Sequence, residues 1–157
     1  MQKLVEIIRN HFSKEVALLL ISMLPLIELK GSIPIGLVMG ISSLKTYLIS
    51  FFGSSLPAIP ILLWIMPIFD WMQKNPRFEK YVSWARNRAD KKSGQIVKYE
   101  YLGLLLFVAI PLPGTGVWMG SLIAALLGLN KLKSFGIIFF GNSIAGLIIY
   151  FLSDIFI

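Results

Sequence analysis

Apolar positions along this chain come in long unbroken windows. A water-soluble domain would instead repeat a polar face every two or 3.6 residues. Residues 46–69, 101–130 and 134–153 contain no Asp, Glu, Lys or Arg. Uncharged windows of about 20 residues match the ~30 Å hydrocarbon core of a bilayer. Lipid offers no partners to loose backbone groups, so the pattern predicts an all-α integral membrane protein. Residues 47–69 read as one full span, kinked by Pro57, Pro60 and Pro67, with Trp64 and Trp71 toward its end as an interfacial belt. Residues 135–151 lie within a second span.

Two other apolar regions are interrupted. Residues 16–27 and 33–44 are uncharged runs of 12 residues each. At a rise of about 1.5 Å per residue, neither crosses a bilayer alone. Between them stands Glu28-Leu29-Lys30-Gly31-Ser32-Ile33-Pro34, where Gly31 and Pro34 argue against an unbroken helix. Residues 101–110 and 117–130 flank a comparable break, Pro111-Leu112-Pro113-Gly114-Thr115-Gly116. Each pair of short helices around a Gly/Pro break predicts a re-entrant hairpin that enters and leaves on one side.

The polar stretches are few. Residues 2–13 place Leu4, Ile8 and Phe12 on one helical face, with Lys3 and Arg9 away from it, which predicts a short interfacial helix with His11 at headgroup level. In residues 70–100, Asn75-Pro76 supplies a cap and a first helical position. Phe78, Tyr81, Val82 and Ala85 then follow at helical spacing, opposite Arg77, Lys80, Arg88, Lys91 and Lys92, and Gly94 ends the pattern. This is a basic amphipathic helix suited to a membrane surface.

The two halves repeat. Sliding the chain by 88 residues aligns 16–64 with 104–152 without a gap, giving 13 identities in 49 positions. Leu44-Lys45 falls on Leu132-Lys133, Phe51-Phe52-Gly53-Ser54-Ser55 on Phe139-Phe140-Gly141-Asn142-Ser143, Pro25 on Pro113 and Gly40 on Gly128. The expected organisation is a single membrane domain over 1–157. It comprises an interfacial helix (1–15), a first repeat (16–69), a basic linker (70–100) and a second repeat (101–157). One crossing per repeat inverts the second copy, so the hairpin tips would meet from opposite sides near the midplane. The side holding the linker, Lys131 and Lys133 has 8 + 2 = 10 Lys/Arg, against four (Lys3, Arg9, Lys14, Lys45) on the side of the termini. The positive-inside rule then puts the linker in the cytoplasm of a multi-pass cell-membrane protein.

Composition narrows the chemistry. The chain is 56% hydrophobic with a mean hydropathy of +0.76, no cysteine and one histidine. Thiolate sites and a membrane-embedded histidine triad are excluded, and no enzyme activity and no cofactor are expected. The net charge of +7 is explained by topology and anionic lipid headgroups rather than nucleic acid. The first apolar run begins only at Val16, behind Lys14 and Glu15, so no cleavable signal peptide is expected.

Ionisable groups inside apolar sequence are costly and mark candidate sites. Glu28 reads as a proton-titrating group and Lys30 as an attractor of an anionic headgroup; the alternative is a structural ion pair holding the hairpin tip. On a regular helix two residues apart would face different ways, but a broken segment could turn both to one cavity. Gly31 and Pro34 belong to the same tip. The second tip, Pro111, Pro113, Gly114, Thr115 and Gly116, carries no charge. Its glycines permit tight turns, and the helix starting at Val117 would aim its N-terminal amides there as an anion site. Ser54, Ser55, Asn142 and Ser143 are repeat-equivalent polar residues within the spans. Packing suits Ser55 and Ser143, whereas Asn142 and Ser54 join the candidate path.

Glu28-Leu-Lys-Gly-Ser-Ile-Pro34 resembles the Glu-Leu-Arg-Gly-Ala-Ile-Pro signature of the small multi-drug export proteins. Residues 111–128, Pro-Leu-Pro-Gly-Thr-Gly-Val-Trp-Met-Gly-Ser-Leu-Ile-Ala-Ala-Leu-Leu-Gly, resemble their second motif, and the likeness covers nearly the whole chain. Lys30 replaces the commoner Arg, which keeps the charge but loses the bidentate fork. That family is similar in architecture to the DedA (VTT) membrane proteins, which carry two re-entrant hairpins and of which several are linked to moving polyprenyl-phosphate or phospholipids. The resemblance implies a translocation role. Two classes stay open: a proton-coupled transporter of small solutes or lipid phosphates, and a non-transporting assembly or lipid-organising protein. Expected partners are membrane lipids, protons, the substrate and a second copy of the chain.

Overall fold

The computed structural model describes residues 12–74 and 76–156, without the side chains of 76–77, 88–89, 92–99 and 154–156. The expected interfacial helix at 2–13, with His11, and the Asn75 cap lie outside this description, apart from Phe12 and Ser13. The described residues are all-helical: α1 (Lys14–Ser22), α2 (Glu28–Val38), α3 (Ser43–Ser55), α4 (Ala58–Gln73), α5 (Pro76–Ala109), α6 (Val117–Leu126) and α7 (Lys131–Phe156). Two stretches, Ser43–Gln73 and Lys131–Ser153, are long and apolar enough to cross a membrane. At about 1.5 Å per residue, α1, α2 and α6 are each too short to do so alone.

The expected kinked span is α3 followed by α4. Leu56 and Pro57 keep right-handed helical dihedrals between them. The ladder tightens there to Ile59 N–H donating to the Leu56 carbonyl at 3.3 Å, because Pro57 and Pro60 bring no N–H. In the second half the equivalent positions are Ala145 and Ile148, and α7 runs through without interruption.

The first break lies upstream of the expected place. It falls at 23–27, not within 28–34, and both Gly31 and Pro34 lie inside α2. Pro25 provides the interruption, and two turns carry the chain across it through Ile27 N–H and Glu28 N–H, both donating to the Leu24 carbonyl (3.1 and 2.9 Å). Pro34 costs α2 only the bond to the Lys30 carbonyl, and the helix continues. Gly31 is needed for space: a Cβ there would lie 2.8 Å from Ile27 Cγ2. The basic helix is also longer than expected. It passes Gly94 and breaks only at Glu100, whose φ of 44° and ψ of −113° redirect the chain into the apolar half of α5. A glycine inside a helix costs about 1 kcal/mol and does not by itself stop one.

Hydrogen bonds recur at the 88-residue offset. After α2, Gly40 (φ 73°) donates to Leu37 and Ile41 donates to the Gly36 carbonyl; after α6, Gly128 (φ 66°) donates to Ala125 and Leu129 to Ala124. Both helices thus end in the same left-handed cap. Packing follows the same correspondence: α1 and α2 pack on α3 as the end of α5 and α6 pack on α7, while α2 contacts α7 and α6 contacts α4. One buried cluster, including Leu62, Leu104, Phe107, Val117, Ile123 and Ile138, joins the halves.

Gly53 and Gly141, equivalent in the repeat, are points of close approach between helices. A Cβ on Gly53 would strike Ser22 Oγ and sit 2.8 Å from the Leu19 carbonyl, and one on Gly141 would sit 3.1 Å from the Leu105 carbonyl. Gly53→Ala is expected to destabilise the fold by about 2 kcal/mol, because the contact is with backbone that cannot rotate away. Thermal unfolding in detergent checks this; an unchanged melting temperature would mean α1 and α3 are not so close.

Candidate functional site

The two breaks meet. Glu28 opens α2 with a left-handed φ of 47°. That departure from helical dihedrals lets its side chain turn to the same side as that of Lys30, two residues on. Lys30 Nζ lies 3.7 Å from Glu28 Oε2. The ammonium donates to the carbonyls of Leu112 (2.9 Å) and Thr115 (2.5 Å) and to Thr115 Oγ1 (3.3 Å). The Thr115 hydroxyl in turn shares its one proton between the Ile110 and Leu112 carbonyls, at 2.9 and 2.8 Å. A lysine ammonium has three N–H groups, and here three oxygens of the second break surround it.

Glu28 Oε1 accepts the Trp118 backbone N–H at 3.1 Å. The first turn of α6, expected to be an anion site, is therefore served by the chain's own carboxylate from the other half. The carboxylate rests on Gly116, where a Cβ would collide with Oε2. Gly116 has φ 116° and ψ −163°, a conformation essentially restricted to glycine. Glu28 and Gly116 are 88 residues apart, so the two seats correspond in the repeat. Lys30 and Trp118 correspond likewise. Lys30 reaches the carbonyls of the second break, and the Trp118 indole N–H donates to the Met23 carbonyl of the first at 3.0 Å. Each half holds the other's break with a side-chain N–H.

These groups border a cavity of about 920 Å³. Its walls are mostly apolar, with Ile61, Ile65 and Phe69 from α4, Trp84 from α5 and Met119 and Leu122 from α6. Glu28 and Lys30 are the ionisable side chains among its lining residues. Beside Phe69 and Trp84 the neighbours Asp70 and Arg86 pair at 3.7 Å, and the Arg86 guanidinium stands 5.8 Å from the Phe69 ring centre.

Of the sequence candidates, Glu28, Lys30, Pro113, Gly114 and Thr115 line the cavity, and Gly116 supports Glu28 from behind. Gly31, Pro34 and Pro111 are not among the lining residues. Ser54 and Asn142 are not either. Asn142 Nδ2 lies 2.8 Å from Ser54 Oγ and 2.9 Å from Ser55 Oγ, and these buried groups join α3 to α7. The amide nitrogen thus has hydroxyl partners inside the bundle. The residues that sequence reasoning passed over are Trp118, Trp84 and the α4 wall. Trp118 carried a signal, since it aligns with Lys30 in the repeat.

A family model described as "Putative small multi-drug export protein" matches residues 28–148, which include Glu28, Lys30 and the second break. No curated protein and no solved structure matches the chain.

Proposed function

Because the chain belongs to the small multi-drug export protein family, we propose that it is a proton-coupled secondary transporter of the cell membrane, a carrier rather than an enzyme. In this reading α1–α2 and the α5 end with α6 are re-entrant hairpins in two inverted repeats, and the basic half of α5 lies on the cytoplasmic surface. The substrate, a small solute or a lipid phosphate, enters the cavity between the tips, with membrane lipids around it and a second copy of the chain beside it. The observation that carries the reading is the Glu28–Lys30 pair at an apolar cavity where both breaks converge. A buried ion pair is weak evidence for stability alone, because its desolvation offsets most of its attraction. A cavity with convergent polar groups is where a ligand is expected.

A second reading rests on the Lys30 contacts to Leu112 and Thr115. A lysine that ties two breaks together could serve a non-transporting assembly or lipid-organising protein. Glu28→Gln separates the two. In liposomes, proton flux coupled to a fluorescent lipid-phosphate probe or a small solute should fall to background, about 100-fold or more, while the variant melts within a few degrees of the wild type. Loss of stability with no wild-type flux to lose would favour the structural reading.

A further inference from the structure

Charge counting at the cavity restricts what can bind there. Burying an uncompensated charge costs several kcal/mol, so occupied states near neutrality are strongly favoured. The lining residues contribute one carboxylate, Glu28, and one ammonium, Lys30. Against this pair the second half sets uncharged groups: the Leu112 and Thr115 carbonyls at Lys30, and the Trp118 amide and Gly116 at Glu28. Asp70 and Arg86, at the α4–α5 wall, neutralise each other. The empty site therefore sums to zero with Glu28 ionised. A cation added to it leaves a net positive charge. An anion leaves a net negative charge unless Glu28 takes up a proton, and then the sum is again zero.

We propose that the cavity binds an amphiphilic monoanion together with one proton, the proton residing on Glu28 and the anion balanced by Lys30, and that it disfavours permanent cations. This rests on the transport reading and gives it a substrate class. The apolar walls and the indole rings of Trp84 and Trp118 suit the ligand's hydrophobic body. The Lys30 ammonium, whose side chain keeps 23% exposure, supplies positive potential to the cavity while it still holds the second break. A coupled ligand also has a route to movement: an anion drawn to Lys30 competes with the Leu112 and Thr115 carbonyls and so loosens the contact between the breaks.

Tetraphenylborate and tetraphenylphosphonium test this, because they share shape and differ in charge. Binding to the whole chain in nanodiscs of zwitterionic lipid is measured by calorimetry in weak buffer while pH is followed. The E28Q/K30Q chain and empty discs supply the partition background. Above that background the borate should bind at least about tenfold tighter than the phosphonium, which is about 1.4 kcal/mol. Its binding should take up about one proton per anion, and its affinity should rise about tenfold per unit fall in pH until Glu28 is protonated in the free protein. Glu28→Gln should keep borate binding and lose both the proton uptake and the pH dependence. Adding anionic lipid to the discs tells whether the natural anion is a lipid: competition with the borate assigns it to the bilayer, no competition to a soluble amphiphile, and either supports the charge rule. Equal or tighter phosphonium binding, borate binding without proton uptake, or no specific binding of either ion by a folded protein overturns the proposal. Flux in the liposome assay beside phosphonium binding with proton release would overturn this charge rule and leave the transport reading intact.

Discussion

Replacing Lys30 by methionine is expected to destabilise the fold by about 3–4 kcal/mol, one of the two largest single-residue effects predicted for this chain. The substitution keeps most of the stem and removes the ammonium. Two losses follow. Glu28 stays buried at 5% exposure without its counter-charge, and an unpaired buried ion of this kind costs about 3–5 kcal/mol. The Lys30 side chain keeps 23% exposure, so the lower end of that range applies. The second break also loses its tie to the first half, because Lys30 donates to the Leu112 and Thr115 carbonyls across the two halves. Thermal unfolding in detergent measures the sum, and the E28Q/K30M chain separates the parts. Neutralising Glu28 should recover the charge penalty, most of the loss, while the untied break keeps the rest. Full recovery would mean that the tie to the second break contributes nothing; no loss in K30M would mean the pair is not buried as found.

Part of this arrangement was legible in the sequence, and the reason lies in what each signal measures. Uncharged windows measure desolvation, and they located the two long apolar stretches that become α3–α4 and α7. Charge, Gly31 and Pro34 coincide at Glu28 and Lys30, which makes that position look like the break itself. The break is instead at Pro25, and the charged residues occupy the first turn of the helix that follows. The internal alignment held the better information: Pro25 falls on Pro113, which sits in the second break, and Gly40 falls on Gly128, which caps the equivalent helix. What a repeat cannot convey is which side chains cross between halves. In the sequence Asn142 and Ser54 stand out as path candidates because they are polar in apolar surroundings. Their partners lie in the other half of the chain, and only the packing of α3 on α7 makes them mutual. The same holds for the anion site at α6, whose occupant, Glu28, lies 90 residues before the Trp118 amide that it accepts.

Gly116→Ala should cost more than the corresponding change at any other left-handed glycine among the described residues, about 3 kcal/mol or more. Two terms add. The backbone there, φ 116° and ψ −163°, costs an L-residue about 1–3 kcal/mol. The new methyl would also occupy the seat of the Glu28 carboxylate, so Glu28 must leave the Trp118 amide and its place beside Lys30. Gly128→Ala is the matched control. It has a left-handed φ of 66° with nothing within 4 Å of the added atom, so it should cost about 1 kcal/mol, the backbone part alone. G116A/E28A removes the colliding carboxylate and retains the strained backbone, so it should regain the difference between the two single variants relative to E28A. Melting temperatures of the four chains in one detergent give each step. If Gly116→Ala proves no worse than Gly128→Ala, the carboxylate does not rest on Gly116. The break-to-break contact would then be held by Lys30 and Trp118 without Glu28. If the excess appears and vanishes in the double variant, it measures how tightly the second half holds the carboxylate of the first.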